Sequence, residues 1–235
     1  MTLLALEDLH TFYGESYVLQ GLSLQVPEHR IAGLLGRNGA GKTTTIRSIV
    51  GFTPPRRGRV TLCGQDITGL PPYAICDRGI ALVPQGRRIF PSLDVIEHLT
   101  LGLRSGGAWT LERVFDLFPR LAERRRQRAR TLSGGEQSML AIARALLLNP
   151  TVLLMDEPTE GLAPVIVDQM SNVIRALRQE RQSILLVEQD LPLALDLVDY
   201  VYVISRGRVV WDGSSEALKG RPDIQSSYLG VGKAP

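Results

Sequence analysis

The stretch "GRNGAGKT", Gly36 to Thr43, lies between a short apolar run, "RIAGLLG", and a helical pattern, "KTTTIRSIV". It matches the spacing G-x-x-x-x-G-K-S/T, in which glycines let backbone N–H groups face phosphate oxygens at the positive end of a helix dipole. Lys42 can then reach the β- and γ-phosphates, and the Thr43 hydroxyl can hold Mg²⁺. A glycine-rich turn with an incidental lysine is the alternative. The pattern predicts triphosphate binding by one continuous loop: Gly36, Arg37, Asn38, Gly39, Ala40, Gly41, Lys42, Thr43 and Thr44.

Strand and helix patterns alternate along the chain. The apolar runs "IALVP", "TVLLMDE", "SILLVEQ" and "YVYVIS" suit strands that are buried on both faces of a parallel sheet. Helical periodicity is found in "GEQSMLAIARALLL" and "PVIVDQMSNVIRALRQE". The start of the chain and "GRVTLCG" alternate as antiparallel strands do. We therefore predict an α/β fold with a P-loop NTPase core, in which a mainly parallel sheet has helices on both faces, and an antiparallel β subdomain.

The segment before "TVLLMDE" contains several helical patterns and no convincing strand. We interpret it as an α-helical subdomain inserted into the core. The predicted organisation is a single domain, 1–235, with a nucleotide-binding core at 1–91 and 150–235 and a helical signalling subdomain at 92–149.

Composition indicates a globular domain and limits the kinds of partner that the chain can bind. With 235 residues, 44% of them hydrophobic and 22% charged, the chain can bury the core of one globular domain. The net charge is only +3, and basic residues are scattered apart from the arginines of "ERRRQRAR", so no nucleic-acid partner is predicted. Cys63 and Cys76 lack the spacing of zinc ligands and are expected to be reduced thiols. No apolar run approaches the roughly 18 residues of a membrane-spanning helix, so we expect any membrane connection to come through a partner.

Two adjacent carboxylates, Asp156 and Glu157, follow the apolar run "VLLM". Carboxylates at the mouth of a parallel sheet are costly unless they face a cation or a reacting group. If the chain turns at the strand end, both can approach one phosphate. Asp156 would then support Mg²⁺ through water, and Glu157 would polarise the attacking water. A solvated acidic turn before Pro158 is the alternative.

The motif "LSGGEQ" leads directly into an apolar-periodic helix. Ser133 is a plausible N-cap, and Gly134 and Gly135 would leave the helix N-terminus bare enough for a phosphate to approach. Taken alone, the motif predicts only a capped helix. Its residues are Leu132, Ser133, Gly134, Gly135, Glu136 and Gln137.

Together these three motifs resemble those of the ATP-binding-cassette (ABC) ATPases, and the resemblance extends from about Leu3 to Gly230. It implies ATP and Mg²⁺ as ligands, a Tyr13 ring stacked on adenine, and a Gln85 amide on Mg²⁺ and the attacking water. A tyrosine that only packs is the alternative for Tyr13. The resemblance also implies a head-to-tail dimer in which "LSGGE" completes the partner's site. The loop from Glu160 to Ala163 would contact the partner, although Ala163 replaces an acidic residue common in the family.

A polar tip, Glu188, Gln189 and Asp190, follows the run "ILLV". The family usually has a histidine at the position of Gln189, where it holds the γ-phosphate and the catalytic water. An amide can donate to phosphate and accept from water, but it cannot carry the charge of an imidazolium. The resemblance therefore implies a catalytic Gln189 that holds the γ-phosphate and the water less strongly than a histidine would. An ordinary polar loop is the alternative.

Several phrases, including "LVEQD", "DEPTEGLAP" and the terminal "SYLG", are similar to the smaller ATPase subunit of bacterial branched-chain amino-acid importers. "PQGRRIFPSL" suits the ATPases of urea and short-chain amide importers nearly as well. Either resemblance implies two membrane permeases, a second ATPase or a second copy of this chain, and indirectly a periplasmic binding protein. The expected location is the cytoplasmic face of the bacterial inner membrane, with the chain bound peripherally.

Two other classes of function stay open at this point. One is an ABC ATPase that acts on ribosomes or nucleic acid without a transporter. Such proteins usually have two cassettes or a long coiled-coil insertion, and this chain has neither. The other is a nucleotide sensor without turnover, against which the positioned carboxylate of Glu157 argues. Arg87 and Arg88, beside Gln85, are expected to lie where the core and the helical subdomain hinge.

Overall fold

Two β-sheets organise the structure. The computed structural model describes residues 1–230. Its strands are β1 (Thr2–Tyr13), β2 (Ser16–Pro27), β3 (Ile31–Leu35), β4 (Arg57–Leu62), β5 (Gln65–Asp66), β6 (Ile80–Val83), β7 (Val152–Asp156), β8 (Ser183–Glu188), β9 (Tyr200–Ser205) and β10 (Arg208–Ser214). Its α-helices are α1 (Lys42–Ile49), α2 (Pro72–Asp77), α3 (Val95–Thr100), α4 (Leu111–Leu117), α5 (Pro119–Glu123), α6 (Gly134–Leu146), α7 (Pro164–Gln179), α8 (Leu191–Leu197), α9 (Ser215–Lys219) and α10 (Pro222–Ile224).

The larger sheet has the order β10-β9-β3-β8-β7-β6. All its neighbours are parallel except β10, which pairs antiparallel with β9 at the edge. Every residue of β3, β7 and β8 is buried, as the continuous apolar runs predict for strands covered on both faces. Leu35 pairs with Glu188, and Val187 pairs with Asp156, so the carboxyl ends of these three strands lie side by side.

The pleat of the large sheet divides its side chains between two cores. Ile31 and Leu35 of β3 pack on one face, with helices α3 to α9. Ala32 and Leu34 point to the opposite face, where they meet α1 and the antiparallel sheet. That smaller sheet has the order β2-β1-β4-β5, and α1 buries Ile46 and Ile49 against it. The predicted α/β fold with an antiparallel β subdomain is therefore confirmed.

Helices α3, α4, α5 and α6 lie between β6 and β7 in the chain. They are short except for α6, and a 3-10 turn at Ala129–Thr131 precedes α6. Their apolar side chains, among them Val95, Phe118 and Leu140, belong to the same core as Ile31. Within residues 1–230, no helix is both long enough and apolar enough to cross a membrane.

Candidate active site

The loop between β3 and α1 wraps around the amino group of Lys42. Lys42 is 4% exposed, and its Nζ donates to the carbonyls of Gly36 at 2.8 Å and Arg37 at 3.3 Å. Gly41 has a φ of 117°, which a residue with a Cβ rarely adopts. A Cβ on Gly36 would lie 2.5 Å from the carbonyl of Ile204. Glycine is thus required at both positions for the loop to fold against β9.

Asp156 and Glu157 approach this loop from the neighbouring strand. Asp156 ends β7, is 3% exposed and accepts from the Thr43 hydroxyl at 3.5 Å. At Glu157 the backbone turns, with a φ of 48°, and its N–H donates to the carbonyl of Val187 at 3.0 Å. The Glu157 carboxylate then lies 3.1 Å from the Lys42 Nζ. The turn brings both carboxylates to the same side of the sheet edge.

Gln85 comes to the same place from the loop after β6. Its Nε2 donates to Glu157 at 3.2 Å and to Glu160 at 2.7 Å. Lys42, Gln85 and Glu157 thus line one cavity, which has a volume of about 390 Å³. This cavity is lined by Val18, Asn38, Gly39, Gly41, Lys42, Thr43, Thr44, Gln85 and Glu157. Its volume is in the range of small-molecule sites.

The electrostatics favour an added cation. Burial, together with the neighbouring charge of Glu157, raises the pKa of Asp156 to about 6, although the Thr43 hydroxyl and Lys42 oppose the rise. Lys42 is the single cation among the residues that line the cavity, and it faces Glu157. A divalent cation with hard oxygen ligands would relieve this crowding of negative charge.

Tyr13 and Arg37 do not line this cavity. Tyr13 ends β1, is 42% exposed, and has the guanidinium carbon of Arg47 at 5.9 Å from its ring centroid. Arg37 contributes its carbonyl to Lys42, but its side chain lines a separate cavity of about 770 Å³ with Arg206 and Arg208. Sequence reasoning grouped Arg37 with the phosphate-binding residues and did not foresee this different direction of its side chain.

The motif from Leu132 to Gln137 does not line the 390 Å³ cavity, although Gln137 lines a second cavity, of about 190 Å³, with Glu157 and Glu160. Ser133 caps α6: its Oγ accepts from the N–H of Glu136, and its own N–H donates to the Glu136 carboxylate. The expectation that Gly134 and Gly135 leave the start of α6 open to a phosphate stays a prediction. A Cβ on Gly134 would lie 3.0 Å from the Arg87 guanidinium, and one on Gly135 would lie 2.5 Å from Ile166. Glycine is required at Gly135 for close packing inside the chain, whereas at Gly134 the flexible end of Arg87 could move aside.

The polar tip after β8 divides into exposed and buried parts. Gln189 and Asp190 are exposed, but Glu188 is only 3% exposed, so Glu188 is not part of a solvated tip. Sequence reasoning assigned Glu188 no role of its own, and it placed Glu160 in the loop that contacts the partner and not beside Gln85. The signal for Glu188 was a carboxylate that directly follows the apolar run Ile184 to Val187, without a break in the strand.

Comparisons with known proteins place this architecture in a family. The model of the ABC transporter family matches residues 19–160. The chain belongs to the ABC transporter family. This ABC ATPase is 41% identical to the high-affinity branched-chain amino acid transport ATP-binding protein BraG of Pseudomonas aeruginosa, over 97% of the chain and 100% of that relative. It is 33% identical to the lipopolysaccharide export system ATP-binding protein LptB of Haemophilus influenzae, over 98% of each.

A solved structure of an ATP-binding cassette of an ABC transporter in its ADP conformation superimposes on the ABC ATPase with a TM-score of 0.84. The two are 27% identical, and the match covers 99% of this chain and 100% of the other. Members of the family hydrolyse ATP, and this chain is an ATPase of that class.

Proposed function

We propose that this ABC ATPase powers the import of branched-chain amino acids through a membrane permease complex. The similarity of 41% along the whole of BraG supports this solute class over lipopolysaccharide, whose export protein is 33% identical. Urea or short-chain amides are the alternative solutes, because "PQGRRIFPSL" suits their importers nearly as well.

The hydrolysis mechanism follows from the contacts around Lys42. Lys42 and the N–H groups of its loop bind the phosphates of ATP. The Lys42–Glu157 ion pair must loosen when the γ-phosphate arrives, because one ammonium serves both anions. Glu157, freed from this contact, accepts a proton as water attacks the γ-phosphorus and the bond from that phosphorus to the ADP oxygen breaks; Gln189 orients the water. This convergence of Lys42, Glu157 and Gln85 is the observation that carries the proposal.

Mg²⁺ is proposed as the metal. Within residues 1–230, no cluster of three or more His, Cys, Asp or Glu side chains could hold a metal by itself. The ion would therefore take the Thr43 hydroxyl, the Gln85 amide and, through water, Asp156, with phosphate oxygens completing its shell. When bound, it neutralises charge that develops on the phosphate oxygens.

The working unit is proposed to be a head-to-tail dimer with a second ATPase or a second copy of this chain. Ser133 is exposed at the capped start of α6 and does not line the chain's own 390 Å³ cavity, which supports a role in the partner's site. The loop from Glu160 to Ala163 would lie at the same interface. Tyr13 is proposed to stack on adenine at the open edge of the cavity.

We also propose that the permeases dock where the core meets a helical signalling subdomain, residues 92–149. A cavity of about 360 Å³ there reaches Thr43, Gln85 and Asp156 at its inner side, and Phe52, Arg88 and Arg144 also line it. Phe52 is 56% exposed, and nearby Phe90, also half exposed, carries the Arg144 guanidinium at 5.7 Å from its ring centroid. A short cytoplasmic helix with apolar and acidic side chains would complement this surface, and would hold the chain peripherally at the inner membrane.

The backbone beside this cavity has an uncommon conformation. Gly86, Arg87 and Arg88 have φ values of 76°, 65° and 42° in succession. Such strain persists where the surrounding structure enforces it, often at functional segments. Because Gln85 directly precedes it, the segment connects the proposed docking surface to the active site.

Glu157→Gln in the assembled transporter tests the mechanism. The amide keeps the size of the side chain but cannot accept the proton, so kcat should fall by about 10²–10⁴-fold while ATP stays bound. Glu180→Gln, on an exposed carboxylate, is the matched control. A normal rate in Glu157→Gln would remove the proposed base. Stimulation of the reconstituted complex by a binding protein loaded with urea, and not with leucine, would overturn the solute assignment.

A further inference from the structure

Glu188 is a buried carboxylate that the proposed mechanism does not use. It ends β8 and is 3% exposed, and it directly precedes Gln189. Burial raises the pKa of Glu188, while hydrogen bonds from the Thr159 side chain and the Gln189 N–H act in the opposite direction. A charged group in such a place is costly, so its partners indicate what it provides.

The two oxygens of this carboxylate connect two loops. Oε1 accepts from the Thr159 hydroxyl at 2.7 Å, and Oε2 accepts from the backbone N–H of Gln189 at 3.1 Å. Thr159 is itself buried, two residues after Glu157. The loop after β7 is thereby joined to the residue after β8, beside the backbone bond from Glu157 to Val187.

We propose that Glu188 is a positioning residue that holds Gln189 in register with Glu157 and does not itself touch ATP. This inference rests on the proposed roles of Gln189 and Glu157. The attacking water would be contacted by Glu157 from the loop after β7 and by Gln189 from the loop after β8. A shift of one loop relative to the other would therefore move one of these two groups away from the water. A displacement of about 1 Å can lower a rate by about 10²-fold.

Two substitutions separate position from charge. In Glu188→Gln, the amide can donate to the Thr159 hydroxyl and its carbonyl can accept from the Gln189 N–H, so both links survive without the charge. Glu188→Ala removes both links. Thr159→Val removes one link and nearly preserves the side-chain shape. Ser171→Ala, which removes a buried hydroxyl bonded within α7, is the control for loss of a buried hydrogen bond elsewhere.

The experiment is steady-state ATP hydrolysis by the assembled complex, with thermal melting of each variant. Glu188→Gln and the Ser171→Ala control should stay within about twofold of the wild-type rate. Glu188→Ala and Thr159→Val should lower kcat by about 10- to 100-fold with little change in the KM for ATP. In a Gln189→Ala background, Glu188→Ala should add little, because it acts through the group already removed.

Each contrary result has a distinct meaning. A wild-type kcat in both Glu188→Ala and Thr159→Val, with a slow Gln189→Ala, overturns this inference and leaves the proposed function intact. Equal losses in Glu188→Gln and Glu188→Ala, or independent losses from Glu188→Ala and Gln189→Ala, also overturn it. Wild-type rates in Gln189→Ala refute the role of Gln189 in the proposed function as well. If Glu188→Ala does not fold, Thr159→Val and Glu188→Gln still decide.

Discussion

Asp156→Asn should make the metal-free protein more stable at alkaline pH while abolishing Mg²⁺-dependent hydrolysis. Burial and the charge of Glu157 raise the pKa of Asp156 from 3.8 to about 6. An acid with a raised pKa in the folded state binds its proton more tightly there than in the unfolded chain. Its ionisation therefore lowers stability progressively from about pH 4 to above pH 6, and the loss is complete at pH 8.

A shift of about 2 pKa units corresponds to about 3 kcal/mol at pH 8. Asparagine removes this penalty but buries an amide that needs its own partners, which costs about 1 kcal/mol or more. We expect a net gain of about 1–2 kcal/mol at pH 8, equivalent to an increase in Tm of about 2–8 °C for a chain of this size. Near pH 4 most of the advantage should disappear, because Asp156 is then protonated in the folded state and close to its midpoint of titration in the unfolded chain.

Urea and thermal unfolding with a chelator at pH 4.5, 6 and 8 would measure this effect. Asp168→Asn, on the exposed face of α7, is the control and should show no such pH dependence. Mg²⁺ with ATP should stabilise the wild type more than Asp156→Asn. A variant that is less stable than the wild type at pH 8, or a stability difference that does not change with pH, would refute the reasoning.

Two predictions concern nucleotide binding. Lys42→Ala should abolish ATP binding in calorimetry, and unchanged ATP affinity would contradict the loop assignment. The same change should destabilise the apo protein by about 3–5 kcal/mol, because it leaves the Glu157 carboxylate without its buried partner. Adding Glu157→Gln to Lys42→Ala should recover part of that stability. Tyr13→Ala should weaken ATP binding by about 1–3 kcal/mol, as one lost base stack, and hardly alter the melting temperature, since the ring is 42% exposed. A lower Tm with unchanged affinity would instead make Tyr13 a packing residue.

The amino-acid sequence by itself determined the features that depend on neighbouring residues. The glycines, Lys42 and Thr43 are contiguous, and their spacing alone predicts a phosphate loop between a strand and a helix. The strands β3, β7 and β8 were predictable because burial on both faces favours a continuous apolar run without alternation. The cap at Ser133 is likewise local, since it joins residues three apart.

Only the tertiary structure decided which of these pieces meet. The order of β3, β8 and β7 results from long-range pairing, which periodicity does not encode, and it is this order that sets Glu157 against Lys42 and Gln85. The burial of Glu188 depends on Thr159, a partner 29 residues earlier in the chain. Gly135 is required because Ile166 packs on it from α7. The sequence shows which chemical groups are neighbours along the chain, but the groups that surround each side chain come from segments far away in sequence.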